Sequence, residues 1–223
     1  MIHYFDEVDS TQRVARELAI AGAGHGEAVL ARSQTAGRGR LGRVWSSEPG
    51  ENLLLSVVLR PPGPVAHAPL LSLGAAAGLA VAFDLRVKWP NDLLSADGRK
   101  VGGILAELET NGESIAWVVL GLGLNVNQAE FPDGVVASSL RTLGGGAPLD
   151  VAEVGDTALR AILAWSSHPN RLDQWRLRSH TLGRTVRVGG RTGIATALRE
   201  DGSLIVDGVA ITAGDVEMVT ERR

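Results

Sequence analysis

The sequence predicts an α+β fold: a larger unit of strands flanked by helices over residues 1–180, then a small SH3-like β-barrel over 181–223. Three observations point there. Up to about Ser179, apolar strand-like runs alternate with longer helical stretches. From Leu182 the texture changes to short runs joined by Gly189-Gly190, Asp201-Gly202 and Asp207-Gly208, which are hairpin links. With 223 residues and 44% hydrophobic content, the chain can build one medium domain plus a small one. A chain of this length buries roughly 70–75% of its unfolded surface.

In chain order, Ile2 to Val8 reads as a strand, and Asp9 and Ser10 are N-caps for a helix with Val14, Leu18 and Ala21 on one face and Gly22 as its stop. Glu27 to Ser33 is a strand that delivers the chain to a glycine- and arginine-rich loop closed by Pro49 and Gly50, and "LLLSVVLRP" is a buried strand. Pro69 to Phe83 is apolar on nearly all sides, a buried helix. "RVKW" is a strand, and "KVGGILAELE" follows after an Asp97-Gly98 turn. "SIAWVVLGLGLNV" pairs antiparallel with it across Asn111-Gly112. Asp150 to Ser167 is helical, with a second helix after Pro169. Five short strands then fill about 40 residues. This division predicts that a chain ending near Ser179 still closes the larger core.

There are no cysteines, which excludes disulfides and thiolate metal sites. The five histidines are scattered without an i,i+4 pair, so no metal site is expected. No leader pattern opens the chain, and the apolar runs are interrupted before membrane-spanning length, so a cytoplasmic protein without a membrane partner is expected. Net charge is −3, so the arginines near Gly39 are a local concentration in an acidic chain. That favours a small anionic ligand over a nucleic acid.

Gly37, Gly39 and Gly42 stand at G-x-G-x-x-G spacing, with Arg38, Arg40 and Arg43 between and after them. A dinucleotide-binding fold needs the third glycine to open a helix, and "RVWSSEPGEN" cannot be one. A kinase needs H-R-D and D-F-G, and neither is present. A solvated loop is the bland alternative, yet Trp45 and the two apolar flanking strands favour a functional one.

Other clusters are weak singly. In "KWPND" (Lys88 to Asp92), Pro90 interrupts pairing and holds Asn91 and Asp92 at a strand exit, as either an exposed turn or ligand-facing groups. Lys100 precedes Gly102 and Gly103, where a bulge or a ligand's close approach explains the glycines. Asn125 ends an apolar strand, and "DST" (Asp9 to Thr11) caps a helix or receives an acceptor.

Taken in order, D-S-T, Q-T-A-G-R-G-R-x-G-R-x-W, K-W-P-N-D, K-V-G-G-I-L-x-E and G-x-G-x-N-V-N resemble the biotin protein ligases (biotin–[acetyl-CoA-carboxylase] ligases) from about Asp9 to the C-terminal unit. The resemblance implies a mixed-sheet catalytic domain followed by an SH3-like domain. It implies an enzyme that forms biotinyl-5′-adenylate from biotin and ATP with Mg²⁺. Biotin then passes to a lysine of a biotin carboxyl carrier protein. By motif position it assigns Ser10, Thr11, Gln12, Gln34, Arg38, Gly39, Arg40, Lys100, Gly102 and Gly103 to biotin, the two glycines giving its rings room. It assigns Arg40, Arg43, Trp45, Asn91, Lys100 and Asn125 to the adenylate, with Lys100 and Arg40 as catalytic residues. Gln12 departs from the Asn often found there. The chain starts directly at the catalytic unit, so a monofunctional bacterial type, a monomer or homodimer without DNA binding, is expected. Two other functions compete: a lipoate- or octanoate-attaching enzyme of related fold, which would lack the arginine loop and K-W-P-N-D, and a nucleic-acid-binding module, which the acidic charge disfavours.

Overall fold

A computed structural model describes residues 1–219; the predicted small unit runs on to 223, and its last four positions lie outside the described residues. β1 (Ile2–Val8) leads through helix α1 (Thr11–Ile20) into β2 (Ala28–Gln34). β1 and β2 pair in parallel, the arrangement that a helical crossover permits. The sheet is completed by β3 (Leu53–Leu59), β4 (Arg86–Lys88), β5 (Asp92–Leu94), β6 (Lys100–Asn111) and β7 (Ser114–Leu124), in the order β1-β2-β3-β7-β6-β5-β4. Every neighbour pair except β1–β2 is antiparallel, so the sheet is mixed.

Helix α2 (Ala68–Ala82) lies on one face of the sheet, and a short α3 (Leu140–Leu143) precedes α4 (Val151–Trp165) and α5 (Arg171–Leu177), which pack against α2. Gly74 and Gly78 allow that approach: a Cβ at Gly74 would meet the Trp165 carbonyl, and one at Gly78 would lie 2.6 Å from the Trp165 Cβ. The stretch Val65–Ala82 is long and apolar enough to cross a membrane, against the expectation that no run reaches that length. Its residues are mostly buried in the core instead.

α1 covers the other face. Its inward side is Ala15 and Ala19, flanked by Val14 and Leu18 and seated on Val29, Val58, Trp117 and Val119; Ala21 is past the helix end and exposed. Helices on both faces explain why all seven residues of β3 are buried. The β6–β7 hairpin forms as expected, but Asn111 pairs with Ser114, so Gly112 (φ 62°) and Glu113 are the turn. "KWPND" is not a plain strand exit. Asp92 already belongs to β5, which folds back on β4 around a cis Trp89–Pro90 peptide.

The C-terminal strands are β8 (Thr185–Val188), β9 (Arg191–Leu198), β10 (Leu204–Val206), β11 (Val209–Ile211) and β12 (Glu217–Met218). They form an antiparallel sheet in the order β11-β10-β9-β8-β12. Among the described residues β11 and β12 do not pair, so hydrogen bonds do not close the predicted barrel. The connection between these two edge strands turns toward the larger unit instead. One core runs through both sheets: Val186, Val188, Leu198, Leu204 and Val216 share a contiguous cluster with Leu70, Leu73 and Trp89. The Trp89 indole N–H donates to the Gly202 carbonyl at 3.0 Å, and its backbone N–H to the Thr181 hydroxyl at 2.9 Å. A chain ending near Ser179 would leave this tryptophan uncovered.

Candidate active site

Strand alternation builds the floor of the site. On β7, Leu120, Leu122 and Leu124 point into the core under α2, so Val119, Gly121 and Gly123 point to the α1 face. Register then sets Ser56, Gly121 and Leu105 in one row across β3, β7 and β6, and Leu54, Gly123 and Gly103 in the next. The apolar side of α1 covers Val29, Val58, Val119 and Trp117, and its first residues, Thr11 and Gln12, reach the Ser56 row. The two small-residue rows form the bottom of a cavity of about 130 Å³. The glycines are needed: a Cβ at Gly121 would collide with the Gln12 Oε1, and one at Gly123 would lie 2.6 Å from the Trp45 Cζ2.

The first wall is the start of α1. The Thr11 backbone N–H, unpaired within a helix at this position, donates to Gln34 Oε1 at 2.7 Å, and the Thr11 hydroxyl donates to the same oxygen at 3.1 Å. The Ser56 hydroxyl sits 2.9 Å from Thr11 Oγ1 and 3.1 Å from Gln12 Oε1, while Gln12 Nε2 donates to the Val119 carbonyl. Ser10 occupies the N-cap position without making a cap bond, and its buried hydroxyl has no partner. A buried hydroxyl left open at a cavity wall is a place for a ligand's hydrogen bond.

The glycine and arginine loop forms the lid. It is a two-stranded arm rather than a strand–helix junction: Trp45 N–H donates to the Gly37 carbonyl at 3.0 Å, Gly39 N–H to the Arg43 carbonyl at 2.7 Å, and Arg38 bridges Val44. At its tip Leu41 (φ 55°) and Gly42 (φ 75°) turn the chain, and Leu41 is 77% exposed. The arm lays Trp45 onto Gly123, with its indole N–H buried and unpaired, and puts Arg38, Gly39, Arg40 and Arg43 along the cavity edge.

Lys100 opens β6 opposite the arm. Its ammonium lies 2.7 Å from Asp92 Oδ1 and 5.8 Å from the Trp45 ring centre; Lys88 takes the other Asp92 oxygen at 3.0 Å. Burial pushes the Asp92 carboxyl up, but the Lys100 and Lys88 ammonium groups outweigh it and hold it below the usual carboxylate range. A mostly buried, ionised Asp92 therefore restrains the Lys100 ammonium at the cavity edge. Asn91 clamps β6 through its side-chain N–H to the Ile104 carbonyl at 2.8 Å and lines both this cavity and an adjoining apolar one of about 450 Å³.

The fold thus gathers nearly all the sequence-assigned residues around one cavity, with Gly103 on its floor. Gly102 and Asn125 stand elsewhere. Gly102 faces the core, where a Cβ would lie 2.8 Å from the Gly123 carbonyl oxygen. Asn125 is buried beneath the segment before α3, donating to the Ser138 carbonyl at 3.1 Å. Sequence reasoning missed Ser56, Gly121, Gly123 and the bridging role of Asp92. A lone serine in "LLLSVVL" and glycines at every second place in "LGLGL" carried the signal. Chemically, the cavity offers neutral polar groups at one end and cations at the other.

A model of the biotin/lipoate A/B protein ligase family matches residues 4–125. The chain is 38% identical to a biotin–[acetyl-CoA-carboxylase] ligase of Mycobacterium tuberculosis over 86% of this chain and 78% of that one. It is 34% identical to the like-named ligase of Paracoccus denitrificans, over 91% and 92%. The bifunctional ligase/repressor BirA of Bacillus subtilis is 41% identical over 64% of this chain, which matches only 46% of that longer protein. The structure of Aquifex aeolicus biotin protein ligase in complex with biotin and ATP superposes with a TM-score of 0.78 at 29% identity, covering 98% of both chains.

Proposed function

The chain belongs to the biotin/lipoate A/B protein ligase family, and on that premise we propose that it is a biotin–[acetyl-CoA-carboxylase] ligase. It joins biotin to ATP as biotinyl-5′-adenylate, then passes biotin to a lysine of a biotin carboxyl carrier protein. The observation that carries this reading is the division of the cavity into a neutral and a cationic end. Ser10, Thr11, Gln12 and Ser56 offer hydroxyl and amide groups suited to a ureido ring, which both donates and accepts. Leu54, Leu105 and the glycine rows suit a thioether ring and an alkyl chain. Lys100, Arg38 and Arg40 suit a carboxylate meeting a phosphate.

In the first step a carboxylate oxygen of biotin attacks the α-phosphorus, and the bond to pyrophosphate breaks. Two anions must meet, so fixed positive charge is the main catalytic requirement. Lys100, restrained by Asp92, supplies it at the carboxylate, and Arg40 supplies it from the arm. No side chain needs to act as a nucleophile. In the second step the ε-amine of the carrier lysine attacks the acyl carbon and AMP departs. Between the steps the anhydride must be kept from water, which is the task of the arm.

Among the described residues no group of three or more His, Asp or Glu side chains could hold a metal, and Asp92 is occupied by two ammonium groups. Mg²⁺ would come with the nucleotide and neutralise its phosphate charge, and no step above is assigned to it. A cysteine-free composition and the need for ATP fit a cytoplasmic setting. The test is to supply ATP, Mg²⁺ and either biotin or lipoate, and identify the adenylate by mass spectrometry. Biotinyl-adenylate is expected; lipoyl-adenylate from lipoate, with none from biotin, would replace this reading with a lipoate-attaching enzyme.

A further inference from the structure

Arg40 and Arg43 both reach out of the arm to the connection between β11 and β12 of the small sheet. Arg43 Nη2 pairs with Asp215 Oδ2, Arg40 Nε lies 3.6 Å from Asp215 Oδ1, and Arg40 Nη2 donates to the Gly214 carbonyl at 3.4 Å. These are the arm's contacts with an element more than 170 positions away in the chain. Asp215 is itself held firmly. It lies in the β11–β12 connection between Val216, which is buried in the shared core, and Gly214 (φ 130°), where a Cβ would lie 3.1 Å from Val188 Cγ2. Its Oδ1 is buried without a hydrogen-bond partner. Both arginines line the cavity while held by this carboxylate. The arm is therefore clasped in its covering position, not drawn away from it.

We propose that Asp215 is a positioning residue: a carboxylate from the small sheet that holds Arg40 and Arg43, and with them the arm, over the cavity. An arm rich in glycine loses much conformational freedom when it closes. A fixed carboxylate bears part of that ordering before any ligand arrives, so a bound phosphate finds the two cations already placed. The proposal rests on the biotin-ligase reading for what the arm retains, and on geometry alone for the clasp. It also gives the small sheet a part in the reaction without any contact with the substrate.

The variants are Asp215→Asn, which keeps the shape and removes the charge, and Asp215→Glu, which keeps the charge. Without substrate, trypsin should cut Asp215→Asn after Arg38 and Arg40 about five-fold faster than wild type, the scale expected for a partly exposed ion pair. With ATP and biotin, labelling of serum albumin by escaped adenylate should rise by a similar factor. KM for ATP should rise while kcat for adenylate formation stays within about two-fold, and Asp215→Glu should restore most of each. The thermal midpoint should not move. Arg43→Gln perturbs the same clasp from the other side and covers the case in which Asp215→Asn fails to fold. In the double variant, cleavage after Arg38 should rise by less than the product of the single effects. Wild-type cleavage and labelling in folded Asp215→Asn, multiplicative effects in the double variant, or tighter ATP binding in Asp215→Asn would each overturn the proposal. The last result would make Asp215 a competitor of phosphate. Should wild type form no biotinyl-adenylate, the function reading fails while the cleavage arm still decides the clasp.

Discussion

Gly123 and Leu124 are neighbours on β7 that face opposite sides of the sheet, so exchanging each for alanine should separate activity from stability. A methyl at Gly123 would sit 2.6 Å from Cζ2 and 2.7 Å from Cδ2 of Trp45, and nearer still to Cε2. Carbon atoms rest at about 3.5–4.0 Å, so the indole must retreat by roughly 1 Å or more. In a rigid core such crowding costs about 1–3 kcal/mol. Trp45 belongs to an arm whose tip is exposed and unsupported by the core, so the crowding acts mainly on the seating of the arm. The same 1–3 kcal/mol becomes about 5- to 150-fold in the population of the closed arm. Gly123→Ala should therefore lose adenylate formation by about five-fold or more with a thermal midpoint close to wild type. Leu124→Ala removes a fully buried side chain and should cost about 2–5 kcal/mol, a fall of roughly 4–20 °C for a chain of this size. Its residual folded enzyme should retain wild-type KM for biotin. Steady-state kinetics and thermal unfolding measure both. A Gly123→Ala enzyme with wild-type rate would show that Trp45 does not rest on Gly123 during turnover.

Lys100→Ala should abolish adenylate formation while leaving the far-ultraviolet spectrum near wild type, because the side chain is at the cavity edge and fills no core space; the thermal midpoint at neutral pH should fall modestly, because Asp92 keeps only the Lys88 ammonium as its ion-pair partner. Near-normal adenylate output would remove Lys100 from the mechanism. The same variant has a pH signature. Asp92 has a depressed folded pKa, so its contribution is present above the unfolded value of about 4 and is lost as pH falls through the folded value. Without Lys100 the folded value rises, so acid unfolding should begin at higher pH; an unchanged acid midpoint by circular dichroism would refute the coupling. Arg40→Gly should still bind biotin but lose charge-assisted bonds worth about 1.5–3 kcal/mol, releasing adenylate roughly 10- to 100-fold faster. Serum albumin left unlabelled while adenylate is still made would show that Arg40 does not retain it. A chain ending near Ser179 should aggregate on expression, since Trp89, Leu70 and Leu73 lose their cover; a soluble, cooperatively folding fragment would show that the large unit closes its own core.

What the sequence made legible was whatever one segment decides for itself. The strand-helix start, the buried α2, the long hairpin and the short C-terminal strands follow from local periodicity and turn residues. The arm announced itself by three arginines among glycines. What stayed hidden depends on register. Gly102 and Gly103 read alike in sequence, yet strand alternation sends one into the core and the other to the cavity. Ser56 and Gly121 become one feature only because β3 and β7 pair them. Asn125 read as a strand terminus, and its actual partner is the Ser138 carbonyl 13 positions on. The contacts of the β11–β12 connection were equally illegible, since its partners Arg40 and Arg43 lie far off in the chain.

The core that passes unbroken from one sheet to the other has a bearing on how the molecule breathes. Two sheets joined by a polar seam would open and shut as hinged lobes, and a catalytic cycle could use that swing. Here such a swing would pull Trp89 away from the Gly202 carbonyl and wet the leucines of α2, at a free-energy cost close to that of global unfolding. Amide hydrogens on both sides of the seam, in β8 and in α2, should therefore exchange at one common slow rate, while those of residues 37–45 exchange orders of magnitude faster. The rhythm of opening belongs to nine residues, and the rest of the protein is the frame that keeps them in time.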